Sequence, residues 1–260
     1  MIETSCVVRA RDFAQPWFAE RAAELNERFN LHRKLWEFCT IIQVFQEQAL
    51  IGSKVLGFGV GLEPLPSWFA ARGADVMATD KPGDDENWDD TGQHAKSLLQ
   101  LHRPAICTEK VFRDSVRFQP VDMLKIPPSL LRSSYDMTWS AGSFEHLGSL
   151  EKSIDFFCRQ MECLRPGGLA VHTTEYNADE DGPTLSEGNI VLFQKKRLIQ
   201  LQERLEEQGD HLWPLDLTPG NGPADLFVDT PPWGLPHLRL SLGPYVITSI
   251  LLVAQRGERA

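Results

Sequence analysis

Three glycines, Gly57, Gly59 and Gly61, alternate at the end of a short apolar run, Lys54 to Phe58. Without a Cβ they let the main chain approach a ligand closely and turn through conformations other residues avoid. Asp80 ends the next apolar run, Ala74 to Thr79. A carboxylate there is placed to accept hydrogen bonds from ribose hydroxyls. Further on, Glu145, His146, His172 and Glu175 fall at the ends of two other apolar runs. Imidazole titrates near neutral pH and is the side chain best matched to removing a hydroxyl proton during attack. His146 or His172 is therefore the expected base, with Glu145 or Glu175 orienting it. The same four side chains could instead hold a divalent metal that acidifies a hydroxyl.

These groups need a scaffold, and the chain between Ser53 and Asp80 supplies its first part. It reads as strand, glycine turn, helix and strand. Pro64 and Pro66 sit where the helix starts, Trp68, Phe69, Ala70 and Ala71 form its body, and Gly73 stops it. That is half of a nucleotide-binding βαβ unit. A dinucleotide fingerprint, G-x-G-x-x-G, would need a third glycine where Leu62 stands. What is present is G-x-G-x-G. After Asp80 comes an acidic, turn-rich loop containing Trp88 and Thr91-Gly92-Gln93-His94, then a short helix. Val116 to Val121 is the third strand, ending in Asp122 and Met123. Tyr135 to Trp139 is the fourth, followed by Ser140 to Leu147.

A helix over Ser149 to Leu164 presents Ile154, Phe157, Met161 and Leu164 on one face. Arg165-Pro166-Gly167-Gly168 ends it and launches the fifth strand, Leu169 to Thr174. Phe193 to Glu207 is helical, a long Gly/Pro loop follows Leu217, and Tyr245 to Ala254 is a continuous final strand. Residues 1 to 50 carry apolar residues at helical spacing: Trp17, Phe18, Ala22, Leu25 and Phe29, then Leu35, Cys39, Ile42 and Phe45. They read as helices packed on the sheet or capping a substrate, with Arg33 and Lys34 on a solvated charged face or, under a cap, meeting an anionic substrate.

G-x-G-x-G after an apolar strand, an acid ending the next strand, Asp122-Met123, the Glu145-His146-Leu147 loop and Leu164-x-Pro166-Gly167-Gly168 occur in order. Together they resemble the class I S-adenosylmethionine-dependent methyltransferases, over about residues 51–260. The resemblance implies an α/β fold with a Rossmann-like seven-stranded sheet, last strand antiparallel. Helices would cover both faces, with an N-terminal helical cap (1–50) before the core (51–260). It also implies S-adenosylmethionine as cofactor and S-adenosylhomocysteine as product. Gly57, Phe58, Gly59, Gly61, Asp80, Asp122, Met123 and Ser140 would bind it, Asp80 at the ribose and Asp122 at the adenine amino group, with Met123 on the ring. Gly57 stands where the family's motif has an acid that helps hold the methionine ammonium, and Glu63 where it has a last glycine. Some members hold a metal through Glu-x-x-Glu-His, but Gly142 takes the first glutamate position, so no metal is expected. The implied reaction is methylation of a small molecule, with a hydroxyl on a sugar or glycan-like metabolite as the expected acceptor. The rival readings are a catalytically silent binding protein of this fold and a nicotinamide-dependent oxidoreductase.

Composition narrows the partners. With 36 acidic against 26 basic side chains, the net charge is -10, which opposes neutralising a nucleic-acid backbone. Five cysteines without a C-x-x-C suit a reducing, cytoplasmic compartment better than a disulfide framework. No apolar run approaches the roughly 20 residues that span a bilayer, so no membrane partner is expected. Oligomeric state is left open.

Overall fold

The computed structural model describes residues 1–81 and 94–258. Trp88 and Thr91-Gly92-Gln93 lie outside the described residues. In chain order the elements begin with strand β1 (Ser5–Val7), helix α1 (Pro16–Glu24) and helix α2 (Arg33–Glu47). Strand β2 (Lys54–Gly57), helix α3 (Leu65–Ala71) and strand β3 (Asp75–Asp80) form the βαβ unit. Helix α4 (Glu109–Ser115), strand β4 (Val116–Pro120) and strand β5 (Tyr135–Ala141) come after it. Next are helix α5 (Leu150–Gln160), strand β6 (Leu164–Asn177) and helix α6 (Lys195–Glu207). The chain finishes with strands β7 (His211–Leu212) and β8 (Leu215–Asp216), helix α7 (Pro223–Leu226), and strands β9 (Val228–Asp229), β10 (Arg239–Leu242) and β11 (Tyr245–Gln255).

Among the described residues the strands make one sheet, ordered β4-β3-β2-β5-β6-β11-β1-β8. The first five run parallel, and β11 enters antiparallel to β6 over Ile247 to Gln255. The order reverses between β2 and β5, and in open α/β sheets the crevice outside the carboxyl ends at such a switch point is where ligands bind. Residues alternate across β11: Leu251 and Val253 join the core under α1, α2 and α3, while Ile250 and Leu252 join the core under α5 and α6.

Ile154 and Phe157 lie on the buried face of α5, and Met161 and Leu164, beyond its end at Gln160, are fully buried too. Three features differ from expectation. The first strand is β1, inside the N-terminal stretch read as helical; it pairs antiparallel with β11 and parallel with β8. Strand β6 runs from Leu164 to Asn177, through the Pro-Gly-Gly turn, because Tyr135 pairs with Leu164 ahead of the regular ladder from Met137. The sheet also carries the short strands β7 to β10 beyond the seven expected.

Candidate functional site

The glycine turn sits at the switch point. Gly59 (φ +57°) and Gly61 (φ +51°) both need the left-handed region, and a Cβ on Gly59 would stand 2.6 Å from Met123 Cε and 2.8 Å from Ser143 Cβ. The loops after β2, β4 and β5 therefore meet over a main chain stripped of side chains. Ser143 Oγ ties them by donating to the Gly59 carbonyl at 2.8 Å. Asp80 fastens the glycine turn to the chain on either side of the loop after β3. Its Oδ2 accepts from Gly61 N at 3.1 Å and Ala95 N at 2.9 Å. Its Oδ1 accepts from Lys81 N at 2.8 Å and lies 3.2 Å from His94 Nδ1.

A cavity of about 690 Å³ opens there, within the range of small-molecule sites. Gly59, Gly61, Asp80, Asp122, Met123 and His146 all line it. Asp122 caps the turn after β4, Oδ1 accepting from Leu124 N at 2.9 Å.

The remaining expected residues lie elsewhere. Gly57 is packed against the Trp139 ring, 2.3 Å from where a Cβ would stand, so no side chain fits at this position. Phe58 is fully buried, against Phe156. Ser140 is fully buried and its Oγ lies 2.8 Å from His172 Nδ1. His172 itself has no exposure and is enclosed by Phe144, Phe156 and Phe157. Burial pushes its pKa down to about 3. The expectation of His172 as a base is therefore corrected: at the end of the regular ladder it turns into the core, where a neutral ring is hydrogen-bonded and cannot reach a substrate.

His146 stands at the wall of the cavity. Its Nδ1 lies 2.7 Å from the Asn189 carbonyl, which can only accept, so Nδ1 carries the proton and Nε2 the lone pair. Burial lowers its pKa from the ordinary value. The loop bearing Asn189 is strapped on by Val191 N to Glu145 O and Gly188 N to Gly148 O. Glu145 lies just beneath, 1% exposed, with Oε1 4.0 Å from His146 Nε2 and Oε2 accepting from Thr174 Oγ1 at 3.2 Å. Burial and the neighbouring Glu175 push its pKa up to about 8.

Under this floor α2 delivers charge that was read as solvated. Arg33 instead enters a buried network, and Lys34, its side chain 40% exposed, joins it from the cavity side. Glu37, 1% exposed, accepts from Lys34 Nζ at 2.8 Å, Ser249 Oγ at 2.6 Å and Thr173 Oγ1 at 3.0 Å. Burial alone would raise its pKa, but Lys34 and Arg33 outweigh it and hold the carboxyl below the ordinary range. Arg33 Nη1 donates to Glu175 Oε1 at 2.5 Å. Lys34 also reaches the Ala141 carbonyl at 3.3 Å and lines the cavity beside Phe38. Gly142 (φ +63°) makes room, since a Cβ there would come within 2.5 Å of Lys34 Nζ.

Phe38, Arg103 and Asn189 are lining residues that sequence reasoning missed. Each comes from an element distant in sequence and carries no motif of its own. Glu63, noticed only as a departure, has a signal in hindsight: an acid beside a glycine turn with an apolar run after it. It is 7% exposed, its Oε1 accepts from Trp139 Nε1 at 2.6 Å, and it lines the cavity. Burial pushes its pKa up to about 8, against the indole hydrogen bond that lowers it. Among the described residues no group of three His, Cys, Asp or Glu side chains is arranged to hold a metal ion, and no helix is long and apolar enough to cross a membrane.

No protein-family model and no curated protein sequence matches the chain. Solved structures do. The 1,6-didemethyltoxoflavin-N1-methyltransferase of Burkholderia thailandensis, solved with 1,6-didemethyltoxoflavin and S-adenosylhomocysteine, aligns with 95% of this chain and 87% of its own, at 13% identity and TM-score 0.50. Magnesium protoporphyrin IX methyltransferase of Synechocystis, solved with S-adenosylhomocysteine, aligns with 95% of this chain and 98% of its own, at 12% identity and TM-score 0.50. An S-adenosylmethionine-dependent methyltransferase of Mesorhizobium loti aligns with 79% of this chain and 91% of its own, at 13% identity and TM-score 0.50. At this level of identity the likeness is one of fold: the chain has the class I methyltransferase fold.

Proposed function

We propose that this chain, built on the class I methyltransferase fold, transfers a methyl group from S-adenosylmethionine to a hydroxyl of a small molecule. The observation that carries the reading is convergence. The side-chain-free turn at Gly59 and Gly61, the carboxylates Asp80 and Asp122, and His146 line one cavity at the switch point of the sheet.

The residues fit the nucleotide part by part. Met123 packs on the adenine and Asp122 accepts from its amino group. Asp80 meets the ribose through Oδ1, where the His94 ring now lies. Gly57 has no room for an acid, so Glu63 brings a carboxylate to the methionine ammonium from the other end of the turn. Residues 1–50 act as the cap on the acceptor side, through Lys34 and Phe38.

The bound sulfonium supplies an already activated methyl, so the protein contributes mainly orientation and exclusion of water. His146 Nε2 takes the hydroxyl proton as the acceptor oxygen forms its bond to the methyl carbon. S-adenosylmethionine, held by the residues named above, would supply the methyl and leave as S-adenosylhomocysteine. Glu145, beneath the ring and largely protonated at pH 7, orients the imidazole. The reading of the acceptor as a sugar or glycan-like metabolite rests on the family resemblance, and a cytoplasmic setting rests on cysteine usage.

Calorimetric titration with S-adenosylhomocysteine tests the first half, and absence of binding would refute the reading. Methyl transfer from S-adenosylmethionine into a metabolite extract, followed by mass spectrometry, tests the second. Binding without any methylated product would make the chain a silent relative.

A further inference from the structure

A second cavity, of about 440 Å³, lies beyond β6 at the β1–β8 end of the sheet and shares no lining residue with the first. Side chains alternate along β6, so Glu175 turns toward Arg33 while the next residue, Tyr176, turns into this cavity. Val7, Leu215, Leu217 and Ile199 give the cavity an apolar body.

Four charged side chains line it, and they are not equivalent. Glu180 accepts from the Tyr176 hydroxyl. Asp216 is held by Arg9 Nη2 at 2.7 Å and by Thr218 N at 3.2 Å. Both acids are thus satisfied within the protein. Lys195, on the first turn of α6, and the half-buried Arg239, on β10, have neither a hydrogen bond nor an ion pair to a side chain among the described residues. The cavity consequently presents two cations without ion-pair partners above an apolar floor, against the single charge of Glu180, whose partner is a neutral hydroxyl. A half-buried guanidinium has lost part of its hydration without gaining a partner. Its planar fork matches a carboxylate.

We infer that this cavity is an accessory binding site for a small organic anion, a carboxylate head on an apolar body, with Arg239 and Lys195 at the head and Leu217 and Ile199 along the body. The site stands whether or not the first cavity takes a nucleotide, because no residue serves both.

Titration of the full chain with octanoate, followed by calorimetry, tests it. One saturable site is expected, with octan-1-ol at least about tenfold weaker, since the alcohol keeps the body and lacks the charge. Arg239→Gln is expected to weaken octanoate about tenfold or more, the scale of a lost charge-assisted hydrogen bond. Lys195→Gln, at an exposed position on the helix surface, should weaken it by a smaller factor and serves if the first variant does not fold. Arg103→Gln, which alters the first cavity, should leave octanoate binding unchanged. Absence of saturable binding overturns the inference. So does equal binding of octanoate and octanol, or a loss produced by Arg103→Gln and by neither of the other two.

Discussion

His146 and His172 differ by environment alone. One ring sits at a cavity wall with its proton fixed on Nδ1, the other in an aromatic core with Ser140 as its partner. Replacing His146 by alanine is expected to leave S-adenosylhomocysteine binding within about threefold while slowing methyl transfer by roughly 10²–10⁴. Equal losses in both would make it a structural residue. Because burial lowers the His146 pKa, the neutral, proton-accepting form dominates at pH 7. The rate should therefore fall only on the acid side of the ordinary histidine value, and a rate profile that instead rises with acid would contradict the base role. Glu63 makes the opposite demand. A carboxyl with a pKa near 8 is largely protonated at pH 7 and must ionise to meet an ammonium group. Binding should release a proton, and affinity should weaken as pH drops from 8 to 6, by up to about tenfold per unit. Calorimetry in buffers of different ionisation heat reads that proton directly, and Glu63→Gln should abolish its release. Gly57 and Glu63 were both visible as departures from a motif. The Trp139 ring that excludes a side chain at one and anchors the other was not, because it stands 76 residues beyond Glu63 in sequence.

Helix α2 decides what happens at the strand ends. Its middle is ordinary core, with Leu35, Cys39, Ile42 and Phe45 buried, and that periodicity was legible. Its first turn was not: Arg33-Lys34 followed by Glu37 looks like any solvated helix start. What buries it is the contact with Thr173, Glu175 and Ser249 on β6 and β11, strands more than a hundred residues away. Glu37 pairs with both cations, so Glu37→Ala would leave the partly exposed Lys34 without its carboxylate and Arg33 with Glu175 alone. Destabilisation of about 1–3 kcal/mol is expected, the scale of leaving buried hydroxyl and cationic donors without their acceptor. Urea unfolding measures it, and a change under about 1 kcal/mol would mean that water reaches the network. Strand β1 escaped reading for a similar reason. Ser5–Val7 is three residues long and is a strand only because β11 and β8 offer edges on both sides. The strands β2, β3 and β5, mostly buried, announced themselves as short apolar runs, which is why a parallel sheet could be anticipated.

The whole chain gathers ionisable groups whose burial pulls stability in opposite directions as pH changes. Glu63 and Glu145, with pKa values raised to about 8, bind protons in the folded state that the unfolded chain releases above its ordinary carboxylate range. Their contribution is present at low pH and is lost as pH rises toward 8. His172, with its pKa lowered to about 3, is the reverse. The unfolded chain takes up a proton below about 6.5 that the folded core refuses, so stability is lost as pH falls from there. Each group is worth at most about 1.4 kcal/mol per pH unit inside its window. Between about 4.5 and 6.5 the two kinds oppose each other, whereas between 6.5 and 8 only the carboxyls act. With two carboxyls against one imidazole, stability should decline by at most about 1.4 kcal/mol per pH unit between 4.5 and 6.5, and by up to about 3 kcal/mol from pH 6.5 to 8. The net charge of -10 works in the same direction, since self-repulsion grows as the last protons leave. Glu63→Gln should flatten the alkaline decline. His172→Gln, although less stable at neutral pH, should gain stability more steeply than the wild type as pH falls to about 4.5, because the opposing group is gone. Urea midpoints across that range separate the two, and a wild-type chain that grows steadily more stable from pH 6.5 to 8 would show that Glu63 and Glu145 are ionised in the fold.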